Sequence, residues 1–513
     1  MRTYILALTK YGIAALVAAY TILAFIMLFR RSRQAVHTMC VVQIELMAAM
    51  TVVSYVTLFT ALGKAGYLLM CVLQVAVFSA AFFLYQTLYS NAYMPIFNNM
   101  CMLLSIGLIF LSRVGLDRAA KQFVIAVGGL AIAFILPFFR SKFYLLKKTG
   151  YVCAFLGIAA LAVVMLLGST TLGANITYTI FGLTFQPSEF VKILYLIFLA
   201  ATLKDAKDLQ DLIPIAVFAG AHVLVLIGSK DLGSGLIFYI VFIFMVYMAT
   251  GKALYLAGGF GAMAAASVVL YHFFSHIQQR VQAFLDPWSL IDSIGYQITQ
   301  ALFAISAGGV FGDGLGQGTP DKIPFVESDF VFAGLTEEFG QIVGICVILI
   351  TLSCFLHMLS LSMHFADRFY RLLAFGAAIS YGFQAFLTLG GQTKFIPLTG
   401  VTLPMISYGG SSILSTILLF TMVQIMYMLR GDRIDEYKRK QRRLQRERAS
   451  YYDDDGDRYG YDARRGRYQS GYSHAMRDET ALDRQVPQSD YDRRREYAAV
   501  RGGSSLRRYS RED

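Results

Sequence analysis

Apolar residues occupy most of this chain in runs of about twenty, separated by short polar turns. A bilayer core about 30 Å thick is crossed by roughly 20 apolar residues in a helix. On that basis the sequence predicts thirteen membrane-spanning helices, near residues 6–29, 39–62, 67–89, 92–112, 121–139, 150–170, 187–203, 212–229, 232–250, 253–274, 338–360, 372–390 and 406–429. The pattern therefore predicts an all-α polytopic membrane protein.

One long segment, residues 275–336, interrupts this pattern. It is rich in Gly and Asp, and its interleaved aromatic and apolar residues argue against disorder. Connections of this length are usually either functional or disordered. We therefore expect the segment to form the working surface of a membrane enzyme.

The composition agrees with a membrane protein, since 56% of the 513 residues are hydrophobic and only 15% are charged. The formal net charge of +12 is explained by basic residues beside the apolar segments, so it does not indicate nucleic-acid binding. The six cysteines all fall within apolar segments and form no C-x-x-C pair. The sequence therefore predicts neither a disulfide framework nor a protein-held metal site.

Three regions differ in composition. Residues 1–91 predict three additional N-terminal helices, residues 92–430 predict a core of ten helices, and residues 431–513 are too poor in aliphatic side chains to bury a core. We expect the last region to be a disordered tail, although its basic beginning, 437–448, can continue the last helix. Glu45 lies inside a predicted span of the first region, and we interpret it as a contact that holds the three helices against the core.

The distribution of basic residues predicts the orientation. Arg30, Arg31 and Arg33 follow the first apolar run, and Lys and Arg concentrate on the cytoplasmic side of membrane proteins. The first helix is therefore expected to begin outside. Thirteen spans then place residues 275–336 outside the cell and the C-terminal tail in the cytoplasm.

Two groups of polar residues lie near the predicted helix starts. Glu189 and Lys192 follow Pro187 at a spacing of three, so they share a helix face and can neutralise each other. Asp231 lies in a short turn before the next apolar run. For both groups a structural role, as a bridge or a helix cap, stays open beside a role in a polar site.

Asp329 is the strongest candidate for chemistry in the long segment. It precedes an apolar helix and is flanked by Ser328 and Phe330. A carboxylate held beside apolar groups has a raised pKa and can serve as a general base. The alternative is that Asp329 caps the helix N-terminus. A further polar turn, Ser407-Tyr408-Gly409-Gly410-Ser411-Ser412, precedes the last helix.

Taken together and in this order, these stretches resemble the SEDS family of bacterial membrane proteins, the RodA/FtsW group. The matching pieces are 186–189 with Lys192, 231–233, Arg280 with 285–287, 295–296 with Gln300, 308–309 with Gly312 and Gly314, 329–330, 337–338 with Gly340, Pro397 with Gly400, and 403–404 followed by 407–411. They cover about 92–430, the whole predicted core.

The resemblance implies a peptidoglycan glycosyltransferase. Such enzymes polymerise lipid II, a disaccharide-pentapeptide on undecaprenyl pyrophosphate, at the outer face of the bacterial cytoplasmic membrane, in cell division, elongation or sporulation. The family's essential aspartate matches Asp329. The residues expected to bind substrate are Glu189, Lys192, Asp231, Arg280, Gln300, Lys394 and Ser407. The expected partners are a class B penicillin-binding protein and other divisome or elongasome proteins, and a Mg²⁺ bridged by carboxylate and pyrophosphate is a further expectation.

This chain also departs from the family pattern. Residues 176–178 stand where the family has an Arg-Trp pair, residues 324–328 differ from the usual stretch before the aspartate, and Lys230 replaces a proline. Two other functions stay open. One is a lipid II flippase, which would use the same cavity without needing Asp329 as a base, and the other is a non-catalytic scaffold that activates a penicillin-binding protein.

Overall fold

The structure, a computed structural model, describes residues 2–30, 32–167, 169–171, 174–180 and 183–458. Within these residues there are sixteen α-helices. They are α1 (Arg2–Phe29), α2 (Arg33–Leu62), α3 (Gly66–Leu88), α4 (Met94–Val114), α5 (Leu116–Ile135), α6 (Gly150–Leu167), α7 (Pro187–Leu203), α8 (Leu209–Gly228), α9 (Leu232–Thr250), α10 (Ala253–Phe273), α11 (Ser275–Leu285), α12 (Tyr296–Ala307), α13 (Val331–Phe339), α14 (Gln341–Met363), α15 (Arg368–Gln392) and α16 (Gly410–Arg458).

Shorter elements complete the described fold. Two 3-10 segments cover Leu136–Lys148 and Pro320–Lys322. Three short strands, β1 (Ser169–Thr171), β2 (Ala174–Ile180) and β3 (Leu183–Phe185), pair antiparallel in the order β1-β2-β3 between α6 and α7.

The predicted all-α polytopic membrane fold is confirmed. Within the described residues, twelve helical stretches are long and apolar enough to cross a membrane. They correspond to twelve of the thirteen predicted spans. The remaining one, 187–203, is α7, whose 17 residues lie at the short limit of the roughly 17–25 that cross a bilayer.

The chain divides into two units, Met1–Arg433 and Ile434–Asp513. The first contains the three N-terminal helices together with the helices of the predicted core, and the division at residue 91 stays a prediction. In the second unit the helix of residues 434–458 is described. The rest of the tail that the sequence predicts to be disordered, 459–513, lies outside the described residues.

Buried amides join the N-terminal helices to α4, most of whose residues are buried. Tyr20 donates to Asn99 Oδ1 at 3.1 Å, and Asn98 donates to Gln43 Oε1 at 3.1 Å. These four side chains are fully buried. Glu45, in contrast, is exposed, so the interpretation that it holds these helices against the core is wrong. Because Glu45 is two residues from Gln43, it lies on nearly the opposite face of α2.

The long segment folds back into the bundle at a break between α13 and α14. Gly340 forms this break with φ 86° and ψ 167°, a conformation that is essentially restricted to glycine. The backbone N–H groups of Asp313 and Gly314 donate to the Glu337 and Glu338 carbonyl oxygens at 2.9 and 3.0 Å. The glycine-rich stretch therefore satisfies the last carbonyls of α13, which would otherwise lack partners.

The two ends of the bundle can be told apart by the contacts of α1 and α4. Lys10, near the start of α1, donates to the Gly312 carbonyl oxygen at 3.1 Å. Arg113, near the end of α4, forms an ion pair with Glu338 at 2.7 Å. We call the end that carries these contacts and residues 275–336 the loop end. Consequently α1 ends, and α4 begins, at the opposite end.

Candidate active site

A cavity of about 440 Å³ opens at the loop end. Its walls come from α11, the start of α12, residues 324–329 and the stretch 391–400, which begins in the last turn of α15. Three of the predicted site residues line it together, Asp329, Arg280 and Lys394. These side chains are far apart in sequence, and the folding of the long segment brings them to one place.

Asp329 lies one residue outside the N-cap of α13. The N-cap is Phe330, and this end of the helix has no side-chain cap hydrogen bond, so the structure does not support the alternative that Asp329 caps the helix. Burial raises the pKa of the Asp329 carboxyl, and the nearby Glu327 carboxylate raises it further. A hydrogen bond from Ser328 and the charge of Arg280 act in the opposite direction. The carboxyl is therefore suited to accept a proton.

Arg280 is held beside Asp329 by backbone carbonyls. Its Nη1 donates to the carbonyl oxygens of Leu398 and Thr399 at 3.2 and 2.8 Å. Gly400 lies beside both charged groups, because a Cβ there would lie 3.4 Å from Arg280 Nη2 and 3.9 Å from Asp329 Oδ2. Its φ of +73° also favours glycine. The guanidinium thus influences the carboxylate while other N–H groups stay available to a ligand.

The cavity has a basic character although the long segment is acidic. Besides Arg280 and Lys394, His276 lines it, and burial, Arg280 and Lys230 all lower the pKa of His276. Several acids of the segment are engaged elsewhere. Glu327 pairs with Arg118 at 3.1 Å, Asp321 lies 4.0 Å from Arg113, and Asp286 accepts from Ser289 at 2.7 Å.

Ser407 supports the backbone next to Asp329. Its hydroxyl donates to the Ser328 carbonyl oxygen at 2.6 Å and accepts from Leu403 N at 2.9 Å. The neighbouring Tyr408 N donates to the Glu327 carbonyl oxygen at 2.7 Å. Ser407 is almost completely buried, so the structure places it as a support for Asp329 rather than in the cavity wall.

Glu189 and Lys192 form the ion pair that their spacing predicts. Lys192 Nζ lies 2.8 Å from Glu189 Oε2, and both side chains are buried. Each has a second partner, because Lys192 also donates to Gln384 Oε1 at 2.7 Å and Ser415 donates to Glu189 Oε2 at 2.8 Å. The pair lies outside the lining of the cavity, and its hydrogen bonds tie α7 to α15 and α16.

Asp231 connects this cluster with the cavity. It caps α9 by accepting from Ser234 N at 3.1 Å, and Ser188 donates to it at 3.3 Å. Burial raises the pKa of Asp231. Desolvation lowers the pKa of Arg280, whereas the charges of Asp329 and then Asp231 raise it. Arg280 therefore interacts electrostatically with both carboxyl groups.

Sequence reasoning also missed some residues of the site. Gln300, a predicted substrate contact on α12, does not line the cavity, whereas Gln297 and Tyr296 on the same helix do. Glu338 belongs to the stretches that carry the resemblance, but its contacts were not predicted: it accepts from Arg113 and from Gly316 N at 3.2 Å. A single arginine at the end of an apolar helix, Arg113, was the available signal for that pair.

The similarity to known proteins covers the predicted core of the chain. Residues 93–430 match the FtsW/RodA/SpoVE family of cell cycle proteins. The peptidoglycan glycosyltransferase RodA of Mycobacterium tuberculosis is 36% identical over 316 residues, which are 58% of this chain and 67% of that protein. The enzyme of the same name from Mycobacterium leprae is 35% identical over 346 residues, 62% of this chain and 74% of that protein.

Solved structures share the fold. A chain of a peptidoglycan synthase complex that coordinates polymerization and crosslinking superposes with a TM-score of 0.59 and 24% identity, over 66% of this chain and 97% of that one. The rod shape determining protein RodA of Thermus thermophilus gives a TM-score of 0.50 and 23% identity, over 66% and 96% of the two chains. This multi-pass membrane protein belongs to the FtsW/RodA/SpoVE family of cell cycle proteins.

Proposed function

We propose that this chain is a peptidoglycan glycosyltransferase that polymerises lipid II into glycan strands. The observation that carries the proposal is the Asp329 carboxyl, whose pKa is raised by burial and which lines a cavity together with Arg280 and Lys394. A base beside cations suits a reaction in which a hydroxyl loses a proton while an anionic group departs. The curated relatives named above carry the same activity in their names.

The proposed reaction is an inverting transfer. The Asp329 carboxylate takes the proton of the acceptor's sugar 4-hydroxyl, and that oxygen forms a bond to C1 of the donor sugar. The bond from C1 to the lipid pyrophosphate breaks, its electron pair leaves with the pyrophosphate, and a β-1,4 linkage results. General-base catalysis of this kind typically contributes roughly 10²–10⁴-fold, and alignment of two membrane-anchored reactants supplies a further part.

Arg280 and Lys394 are the cations proposed to stabilise the leaving pyrophosphate. Among the residues that the structure describes, no group of three or more His, Cys, Asp or Glu side chains is arranged to hold a metal ion. Mg²⁺ usually needs only one or two carboxylates together with substrate phosphates, so Asp329 would be its protein ligand in this cavity. When bound, such an ion would neutralise charge on the pyrophosphate. Polymerisation that is unchanged by chelators would refute this part of the proposal.

The proposed orientation places the loop end outside the cell and the tail in the cytoplasm. It is supported by the position of Arg30, Arg33, Arg140 and Lys142, which all lie at the opposite end of the bundle. In this orientation the cavity meets lipid II at the outer face of the cytoplasmic membrane. A class B penicillin-binding protein of the division or elongation machinery is the proposed partner, and the fold neighbour from a synthase complex supports it.

The decisive experiment measures polymer formation from purified lipid II by the full-length protein and by Asp329→Asn. We expect the amide to lower the initial rate by roughly 10²–10⁴-fold, because it cannot accept the proton. Asp286→Asn is the matched control, since Asp286 lies on the same segment but is exposed and does not line the cavity. If Asp329→Asn still polymerises at the control rate, Asp329 is not the base and the proposed mechanism fails. If the wild type forms no polymer, the enzyme proposal fails and the flippase and scaffold alternatives gain.

A further inference from the structure

A second cavity, of about 510 Å³, lies at the end of the bundle opposite the Asp329 site. It is lined by the end of α1, the start of α2, the end of α3 and the start of α4. The 28 residues of α1 extend for about 42 Å, and the start of α1 lies at the loop end. The second cavity is therefore separated from the first by roughly the thickness of a bilayer.

The mouth of this cavity is basic. Arg30 and Arg33 line it and are exposed, and His37 lies between them and Gln86, with which its ring nitrogen forms a hydrogen bond. No carboxylate is among the described lining residues, and neither arginine has an ion-pair partner there. The neighbouring Asp432 is already paired with Arg140 at 2.7 Å. The two guanidinium groups are thus available to an anion.

The inner wall of the cavity is apolar and aromatic. Met27 and Cys40 are buried there, and the rings of Tyr93 and Tyr427 lie 5.0 Å apart. Outside the cavity, at the same ends of α1 and α3, Phe29 and Leu88 are 83% and 51% exposed. Exposed apolar side chains on membrane-spanning helices face lipid. A ligand for this place would combine an anionic head with apolar chains.

We propose that this cavity binds the headgroup of an anionic membrane phospholipid. Arg30 and Arg33 pair with the phosphodiester, and the acyl chains lie along Phe29 and Leu88. Basic pockets between membrane helices recognise such headgroups. Because the cavity is bounded by both α1–α3 and α4, the lipid would also link the three N-terminal helices to the rest of the bundle.

The proposal is tested on the full-length protein in detergent by native mass spectrometry, with phosphatidylglycerol as the probe. We expect one tightly held phosphatidylglycerol per chain in the wild type. In Arg30→Gln/Arg33→Gln its affinity should fall roughly 30-fold, from about fivefold for each cation near the membrane surface. Bound lipid should also raise the thermal unfolding temperature of the wild type more than that of the double variant.

Lys142→Gln/Lys252→Gln is the matched control, because both lysines are exposed at the same end of the bundle and neither lines the cavity. An equal loss of affinity in both double variants would overturn the proposal, since it would show only a diffuse surface charge. Equal retention of phosphatidylcholine would also overturn it. So would saturation of the wild-type unfolding temperature by inorganic phosphate alone, which would indicate a free-anion site.

Discussion

The two ends of the short helix α13 each bring a carboxylate close to an arginine, but in different surroundings. At its C-terminal end, Glu338 pairs with Arg113 at 2.7 Å, with 0% and 12% of the two side chains exposed. Gly316 N donates to the same carboxylate, and Arg113 also donates to the Gly318 carbonyl oxygen at 2.9 Å. Just before its N-terminal end, Asp329 faces a cavity, and the charge of Arg280 acts on it.

The difference distinguishes a structural pair from a reactive one. Glu338 and Arg113 satisfy each other and the glycine-rich backbone, so they leave little for a ligand to bind. Asp329 and Arg280 are each supported by backbone or by Ser328, yet their remaining atoms border open space. Similar charges within one helix length therefore stabilise the fold in one place and support chemistry in the other.

The largest effect is expected at the structural pair. Arg113→Met removes the partner of a fully buried carboxylate, which typically costs about 3–5 kcal/mol of stability. We therefore expect a large fall in the unfolding temperature in detergent. Arg113→Met/Glu338→Leu, in which both charges are replaced by apolar groups, should recover much of the loss. If the double variant is no more stable than Arg113→Met, the unpaired Glu338 carboxylate does not explain the loss of stability.

The next largest effect is expected at Asp329. Asp329→Glu keeps the charge but adds one methylene, and a displacement of about 1 Å in a reacting group can cost 10²-fold in rate. We expect about that loss in lipid II polymerisation with little change in the unfolding temperature, the reverse of the Arg113→Met pattern. A rate close to that of the wild type would indicate that Asp329 acts only through its charge.

Local patterns in the sequence were sufficient for much of this picture. Hydropathy located the spans, and a spacing of three predicted the ion pair of Glu189 with Lys192. The break at Gly340 was not predicted, because the hydropathy pattern places the start of that span near residue 338. Without the resemblance, the neighbours of Asp329 could not have been predicted either, because Arg280 and Lys394 approach it only after residues 275–336 fold back. The interpretation of Glu45 was wrong because the sequence does not show which other residues a given face of a helix contacts.

Substitution of Arg280 should have a smaller effect, which is seen in the pH dependence of the polymerisation rate. The charge of Arg280 lowers the pKa of Asp329, so Arg280→Gln should raise it. The base is active only when ionised, and hence the acid limb of the rate profile should move to higher pH. Lys322→Gln, an exposed cation of the same segment that does not line the cavity, should leave the limb in place. If the acid limb of Arg280→Gln stays in place, the limb does not report the ionisation of Asp329.

The smallest effect is expected at Ser407, which touches the site only through the Ser328 backbone. Ser407→Ala leaves the Ser328 carbonyl oxygen and Leu403 N without this partner, at a cost of about 1 kcal/mol. We expect a several-fold fall in polymerisation rate, because Asp329 is then held less firmly. Ser415→Ala removes an equally buried hydroxyl that donates to Glu189 instead. If both variants lose the same stability and only Ser407→Ala loses rate, support of Asp329 rather than general packing explains the Ser407 contact.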